Sequence, residues 1–334
     1  MTSRERMIAT LEHRQPDRTP YQVAFTLRAR EAIAAHCGDP DFDRDLDNAV
    51  VMLGAEPRVP WREVEPDIWE DQFGVRWNRS IDKDIGNVCN LLVTPDNVDD
   101  YVFPDLDDAT RFEDYVSTIE AHPDRFFVSS IGFSLYERAW TLAGMTEFLQ
   151  YMVTSSEFAH RLLDSILEWN LGLIDRACRY PIDAMRFGDD WGMQTGLIMG
   201  PDLWREFIGP RVHRMYQRCH DHGKHVFIHS CGKVDELFDD LIDAGVDVFN
   251  PFQPEVIDVF EAKRRYGDRL TFYGGISTQV SLPFKSPEEV KAEVRALLDK
   301  VGRNGGYIAA PAHAIPGGVK PENYFAMMEV LNNQ

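Results

Sequence analysis

The sequence places a histidine and a cysteine two positions apart at the end of a predicted strand. Residues 225–230 form a short run with β-branched and aromatic side chains, which leads into His229-Ser230-Cys231-Gly232. Side chains two positions apart on a strand face the same way, so the imidazole and the thiol should point together. A thiolate beside an imidazole is the beginning of an open zinc site when a third ligand comes from elsewhere. A core cysteine next to a hydrogen-bonded histidine is the alternative that this short spacing leaves open.

The elements that must position these residues alternate between helix and strand from residue 111 onward. Predicted strands lie at 125–131, 183–187, 225–230, 246–250, 270–273 and 306–310, after two weaker ones at 21–25 and 49–53. Predicted helices lie at 112–121, 145–179, 201–222, 234–244, 256–266, 287–301 and 322–331. This alternation predicts βαβ units and a parallel sheet, hence an α/β fold. Eight strands fit a closed (β/α)8 TIM barrel. An open doubly wound sheet is the competitor, and no Gly-x-Gly-x-x-Gly follows an early strand to support it.

Residues 54–105 interrupt this pattern. They contain three tryptophans and many acidic residues with little helical period, and short antiparallel strands are predicted at 71–77 and 88–93. We expect a single domain, 1–334, in which this N-terminal insertion folds over the barrel mouth as a lid-like segment. A dimer interface is the alternative, since interfaces also bury aromatic residues.

Composition narrows the class of protein and its partners. A chain of 334 residues, 44% of them hydrophobic, can bury one large core. Its formal net charge of −20 argues against nucleic-acid and membrane-surface partners, which are polyanionic, but not against a small-molecule substrate. Five scattered cysteines predict no disulfide framework and favour a cytoplasmic location. No apolar run has membrane-spanning length, and the first residues lack the apolar segment of a signal peptide.

Polar residues gather where the predicted strands end, which is the face of a barrel that carries chemistry. Each has a plain structural explanation, such as a helix cap or a turn. The set is Tyr136, Glu137, Arg138, Asp189, Asp190, His229, Cys231, Asn250, Gln253, Gly274, Gly275 and His313. His229, Cys231 and His313 together would leave a fourth zinc position open, which is the catalytic pattern.

The remaining polar residues receive predicted roles around that site. Adjacent side chains of an extended chain point to opposite sides, so only one of Asp189 and Asp190 can face the barrel centre. We assign that role to Asp190, as a group that orients a zinc-bound water or a substrate hydroxyl, with Asp189 as the alternative catalytic carboxylate. Substrate contacts are predicted at Asn250, Gln253, Gln194 and Arg138.

Several stretches make the chain similar to the uroporphyrinogen decarboxylase-like superfamily over nearly its whole length. The matching stretches are Arg4–Met7 with Pro16–Pro20, Gly188–Gly196, His229–Gly232, Gly245–Gln253, Phe272–Ile276 and Gly306–His313 with Pro321–Asn323. The resemblance implies a (β/α)8 barrel. It also implies one of two chemistries. One branch decarboxylates uroporphyrinogen without a cofactor, and the other contains zinc methyltransferases, which pass a methyl group between a corrinoid protein and a thiol, with related demethylases.

The decarboxylase pattern is not met. That branch carries Arg-Gln-Ala-Gly-Arg after the first strand and an essential aspartate after the second. Here the first stretch reads Ala24-Phe-Thr-Leu-Arg-Ala-Arg30, and the second, 50–54, contains no aspartate. A macrocycle with eight carboxylates needs several guanidinium partners, so we expect uroporphyrinogen to be a poor substrate.

The methyltransferase pattern is met in part. That branch binds zinc through His-x-Cys and a distant cysteine; His229 and Cys231 match, and the distant position falls on His313. One thiolate and two imidazoles leave about one net positive charge on the site, which favours polarising an oxygen over activating a thiol. The resemblance therefore implies a zinc-dependent methyltransferase or O-demethylase with a corrinoid protein as methyl partner. A cofactor-free decarboxylase and a non-catalytic tetrapyrrole- or corrinoid-binding barrel are the alternatives.

Overall fold

A curled parallel sheet of seven strands forms the centre of the molecule in the computed structural model, which describes residues 1–334. The strands are β1 (Val50–Gly54), β2 (Trp61–Glu65), β3 (Ile68–Asp71), β4 (Arg76–Asn78), β5 (Asn87–Val88), β6 (Phe126–Ile131), β7 (Ala184–Gly188), β8 (Gly192–Met193), β9 (Gly196–Leu197), β10 (His225–His229), β11 (Val248–Phe252), β12 (Thr271–Ile276) and β13 (Tyr307–Pro311). The order in the main sheet is β1-β6-β7-β10-β11-β12-β13, and every neighbouring pair is parallel. The predicted α/β class is confirmed.

The helices surround this sheet. They are α1 (Ser3–Leu11), α2 (Leu27–Cys37), α3 (Tyr115–Ala121), α4 (Tyr136–Ala143), α5 (Met145–Thr154), α6 (Ser156–Ala177), α7 (Gly200–Leu203), α8 (Gly209–Asp221), α9 (Phe238–Ala244), α10 (Val259–Tyr266), α11 (Ser281–Phe284), α12 (Pro287–Lys300) and α13 (Pro321–Asn332). Short 3-10 turns cover Ala109–Phe112 and Asp235–Leu237, and a π-helical turn, Trp204–Ile208, joins α7 to α8. None of these helices combines the length and the apolar character needed to cross a membrane.

Residues 21–25, the first predicted strand, do not form a regular strand. Tyr21 and Phe25 make isolated parallel bridges, to Ala309 of β13 and to Ile315. The side-chain amide of Asn48 accepts from the Val23 N–H at 2.8 Å and donates to the Val23 carbonyl at 3.1 Å. A side chain thus takes the backbone groups that a neighbouring strand would otherwise pair. The regular sheet therefore has seven strands rather than the eight predicted.

The interior of the curled sheet changes character along its length. Its amino-terminal part is an apolar cluster of Met7, Leu11, Ala49, Val50, Phe126, Val128, Ala184, Phe227, Val248, Tyr273, Ile308 and Ala310. The next inward positions, two residues further along four of the strands, are polar: Ser130, Arg186, His229 and Asn250. The strands therefore deliver polar side chains to their carboxyl ends above an apolar floor, as the fold class predicts.

Helix α4 lies where the sequence predicted a loop. It begins directly after residue 135, whose side chain offers no cap, and it contains Glu137 and Arg138. Three predicted helical stretches contain more than one segment: 145–179 holds α5 and α6, 234–244 begins as a 3-10 turn before α9, and 201–222 contains the π-helical turn. Only the first difference moves residues at the carboxyl face of the sheet from a loop onto a helix.

Residues 54–105 contain a four-stranded antiparallel sheet, β2-β3-β4-β5. The predicted strand at 71–77 is wrong, since it spans the turn between β3 and β4. Of the second predicted stretch, 88–93, only Val88 lies in a strand, at the end of β5. The small sheet packs beside the carboxyl end of β6, where the ring centroids of Trp77 and Phe133 lie 5.1 Å apart.

Candidate metal centre

The side chains of His229, Cys231 and His313 converge at the carboxyl ends of β10 and β13. Their potential ligand atoms all lie within 4.8 Å of one another, and His229 Nε2 is 3.4 Å from Cys231 Sγ. Ligand atoms around a tetrahedral zinc are separated by about 3.3–3.8 Å, given bond lengths of about 2.0–2.3 Å. The His229–Cys231 separation falls in this range, whereas the whole set spans up to 4.8 Å, so the three residues would have to contract around a zinc ion, which would leave one position open.

Asn250 sets the protonation of the His229 ring. Its Nδ2 donates to the carbonyl of Tyr273 at 3.0 Å, so its Oδ1 must be the atom that lies 2.5 Å from His229 Nδ1. An amide oxygen only accepts, so Nδ1 carries the proton and Nε2 presents a lone pair towards Cys231. Burial lowers the pKa of His229 to about 4, which keeps the ring neutral. Metal-binding histidines are commonly oriented by such a partner.

The backbone around Cys231 is fixed by a close approach of two loops. Gly232 has a φ of +85°, and a Cβ added there would lie 2.4 Å from the carbonyl carbon of Gly192. The Cys231 N–H donates to Asp190 Oδ1 at 2.9 Å. Burial, and then the carboxylate of Asp190, raise the pKa of the Cys231 thiol well above its ordinary value. Metal binding must therefore displace a proton from this thiol.

The two adjacent aspartates have different surroundings. Asp189 is fully buried and accepts hydrogen bonds from the backbone N–H groups of Leu135, Tyr136 and Glu137 and from the indole of Trp191. It thus caps the amino end of α4, although it lies far from that helix in the chain. Burial raises the pKa of Asp189 to about 6, against the effect of these hydrogen bonds.

Asp190, the carboxylate predicted to face inward, lies beside His229 and Cys231. Its Oδ1 lies 4.0 Å from His229 Nε2, and its side chain is 36% exposed. It is therefore reachable by a substrate and held next to two of the three potential ligands through its contact with the backbone of Cys231.

A cavity of about 370 Å³ opens beside His229 and His313 within the sheet. Its wall includes Ser130, Arg186, Asn250 and Tyr273. The cavity is large enough for a small organic molecule, and two of the three candidate ligands, His229 and His313, line it.

Comparison with known proteins places the chain in a family. The family description "Uroporphyrinogen decarboxylase (URO-D)" matches residues 90–334. The chain belongs to the URO-D family. It is 27% identical over 217 residues to a uroporphyrinogen decarboxylase from Alcanivorax borkumensis, which covers 61% of this chain and 59% of that protein. It is 22% identical over 187 residues to the methylcobamide:CoM methyltransferase MtaA from Methanosarcina barkeri, covering 56% of this chain and 52% of the relative.

A solved structure extends the likeness of this URO-D family member to the whole fold. A methyltransferase from Methanosarcina mazei has a TM-score of 0.71 at 18% identity, covering 100% of this chain and 99% of that chain. The sequence matches, by contrast, span between one half and two thirds of the length of the curated relatives above. The structural similarity at this identity shows the fold and leaves the reaction open.

The residues predicted as substrate contacts are scattered in the URO-D family member. Arg138 is buried, donates to Asp71 Oδ2 at 3.2 Å and stacks over Phe73, so it ties α4 to the inserted sheet. Gln194 is exposed at the tip of the β8–β9 hairpin. Gln253 is buried, and its side chain makes no hydrogen bond within the protein. Asn250 lines the cavity, but both its polar atoms are engaged by His229 and the chain.

Glu137 and Arg186 are site residues that received no role from the sequence. Burial, with the nearby charges of Asp190 and Asp189, raises the pKa of Glu137 to about 9, so it is a neutral carboxyl at pH 7. Arg186 stands in the wall of the cavity. An arginine inside the otherwise apolar run Ala184–Phe187 was the available signal for Arg186, since buried strands rarely carry an arginine.

Proposed function

We propose that this URO-D family member is a zinc-dependent methyltransferase or O-demethylase that exchanges a methyl group with a corrinoid protein. The convergence of His229, Cys231 and His313 beside a cavity is the observation that carries the proposal. The pre-set Nε2 lone pair of His229 supports it, as do the methyltransferases among the similar proteins. Zinc bound there would act as a Lewis acid towards a substrate oxygen.

The chain's own residues would supply orientation and protons. Asp190, beside His229 Nε2, would accept a hydrogen bond from a water or a substrate hydroxyl and hold it in line. Glu137 carries a proton at neutral pH and would give it to an oxygen that gains charge during the reaction. The wall of the cavity would exclude bulk water from the reacting atoms.

We further infer that residues 21–25 complete a (β/α)8 barrel with the seven strands, and that residues 54–105 form a wall or lid at its mouth. The contacts of Trp77 with Phe133 and of Asp71 with Arg138 support this position, because both partners follow the carboxyl end of β6. The five cysteines are unpaired, which supports a cytoplasmic location.

A cofactor-free decarboxylase of a small carboxylate is the second candidate. Arg186 in the cavity wall favours it, since a guanidinium binds carboxylates. A single arginine there does not match the eight carboxylates of uroporphyrinogen. This candidate predicts full activity after removal of metal.

Metal analysis of protein purified without a histidine tag tests the proposal. We expect about one zinc per chain, by the stoichiometry of a single three-ligand site. Cys231→Ser and His313→Ala should lose it. Cys37→Ser is the matched control, because Cys37 is an exposed free thiol on α2. Methyl transfer from methoxylated small molecules to cob(I)alamin should disappear in the same two variants. Zinc bound equally by wild type and both variants would show that the site is elsewhere.

A further inference from the structure

Arg186 is a cation inside the sheet without a protein counter-ion. Its Nη1 donates to Ser130 Oγ at 3.2 Å, and this is the one hydrogen bond of its side chain within the protein. No carboxylate oxygen lies within 4.0 Å of its guanidinium. A guanidinium has five N–H donors and stays protonated in proteins, so most of its hydrogen-bonding capacity is unused.

Other buried arginines of this chain are paired. Arg6 contacts Asp17, Arg138 contacts Asp71, and Arg211 contacts Asp164. Arg111 has no carboxylate partner, but it donates to the carbonyls of Ala55 and Asp105 and to the side chain of Gln72. Each of these four guanidinium groups thus has either a carboxylate partner or several acceptors, whereas Arg186 has neither.

The surroundings of Arg186 show which kind of group its guanidinium lacks as a partner. Ala184 and Phe227 belong to the apolar floor on the amino-terminal side, and the cavity of about 370 Å³ lies on the other side. The hydroxyls of Ser130 and Tyr273 line the same space, and the hydroxyl of Tyr273 makes no hydrogen bond within the protein. A guanidinium and two hydroxyls that can donate thus line the cavity, and no carboxylate is among its lining residues.

The two carboxyl groups near this cavity do not pair with Arg186. Asp190 accepts from the backbone of Cys231, and burial keeps Glu137 protonated at neutral pH. Both act on Arg186 only through space. Zinc would add a further positive charge beside it, so the pocket would need an anion most when the metal is bound.

We propose that Arg186 binds the carboxylate of a small anionic substrate, with Ser130 and Tyr273 completing the anion site. The planar fork of a guanidinium matches a carboxylate, and a singly charged group suits a pocket with one arginine and two neighbouring acidic residues. The carboxylate would hold the substrate so that its remaining atoms lie beside His229 and His313. This deepens the proposed function and rests on it for the reaction, whereas anion binding itself needs no metal.

Calorimetric titration with acetate, benzoate and inorganic phosphate tests the site directly. We expect acetate or benzoate to bind wild type, with and without added zinc, and more tightly than phosphate. Arg186→Met should weaken that binding at least about tenfold, as loss of a charge-assisted hydrogen bond does. Arg186→Lys should retain part of it. Arg205→Met is the control, because Arg205 is exposed and pairs with Asp240 away from the cavity.

Thermal unfolding separates binding from a structural role. Removal of a partly buried cation without a counter-ion should leave the melting temperature of Arg186→Met unchanged or higher, because no buried carboxylate loses a partner and only the Ser130 hydroxyl loses a contact. A clear fall in melting temperature with unchanged benzoate and acetate binding would overturn the assignment. So would the absence of carboxylate binding by wild type, or tighter binding of phosphate. If zinc is not bound but Arg186-dependent carboxylate binding persists, the metal proposal fails and the anion site stands.

Discussion

Asn250 determines which nitrogen of His229 faces the proposed metal, because its amide oxygen lies 2.5 Å from His229 Nδ1. The amide is itself oriented by the carbonyl of Tyr273. Neighbouring strands β10, β11 and β12 thus cooperate to present one lone pair. A ring without this contact could present either nitrogen in many orientations. The fraction of protein ready to bind metal would then be smaller.

Asn250→Leu should therefore weaken zinc binding by about 10–100-fold, which is typical for loss of such a partner. The comparison variant is Gln253→Leu, which removes a buried amide that contacts none of the three ligands. Competition with a chromophoric chelator measures both affinities. Equal zinc affinity in the two variants would contradict the positioning role of Asn250.

Glu137 should make the metal-free protein less stable as the pH rises. Its pKa is about 9 in the folded state and near 4.5 when unfolded, so between these values the folded state binds more protons. Stability then falls with pH by at most about 1.4 kcal/mol per unit, reduced by the partial exposure of the group. The window from pH 6.5 to 8.5 avoids His229, whose lowered pKa acts below it with the opposite sign.

Urea unfolding of wild type and Glu137→Gln across this window is the measurement. The glutamine variant cannot ionise, so its stability should vary less with pH. Glu157→Gln, on α6, serves as a control because Glu157 is exposed and lies in the first turn of its helix. Parallel pH profiles for Glu137→Gln and wild type would show that Glu137 ionises normally.

Gly232→Ala should displace Cys231, whereas Gly223→Ala should not. Both glycines have positive φ, +85° and +67°, so both substitutions carry a similar backbone cost of about 1 kcal/mol. Only at Gly232 would the new Cβ meet another backbone, at Gly192; at Gly223 nothing lies within 4 Å. The loss of stability in Gly232→Ala beyond that in Gly223→Ala measures the contact between the loops that contain Gly232 and Gly192. Zinc binding should be lost in the same variant. Equal losses in both variants would mean that the loops are free to separate.

The sequence predicted the carboxyl face well because strand periodicity is local. The alternation of side-chain direction around His229 and Cys231 depends only on neighbouring residues in the sequence. The strand that precedes His313 is equally regular. The convergence of the three candidate ligands then follows from the parallel topology. Their common site could be inferred without knowing any side-chain contact.

The start of α4 could not be predicted, because its capping group lies elsewhere in the chain. Leu135 offers no side-chain cap, and Asp189 on the neighbouring strand accepts the free N–H groups instead. The role of Arg138 was missed for a related reason, since it depends on Asp71 in the inserted sheet. The sequence groups Gln194 with the polar residues around Asp190, but its side chain is exposed at the tip of the β8–β9 hairpin.

We expect Asp189 to have a structural role and Asp190 a functional one, although they are adjacent in the chain. Asp189→Asn places an amide N–H₂ where four donors point inwards, so at least one donor loses its acceptor. Leaving such a buried group unsatisfied costs about 1–3 kcal/mol, and the melting temperature should fall. Asp190→Asn keeps an oxygen for the Cys231 N–H and removes only the charge.

Asp190→Asn should lower turnover at least about tenfold with little change in melting temperature, the low end for loss of a group that supports a metal site. It should also lower the pKa of the Cys231 thiol, because the charge of Asp190 is one cause that raises it. The rate of alkylation of the metal-free protein by iodoacetamide across pH 7–9 compares the thiolate fractions of Cys231 in the two proteins, with Cys231→Ser as the blank for the other thiols. Faster alkylation of Cys231 together with lost turnover is the expected signature. Wild-type turnover in Asp190→Asn would remove this carboxylate from the mechanism, whatever the stability of Asp189→Asn.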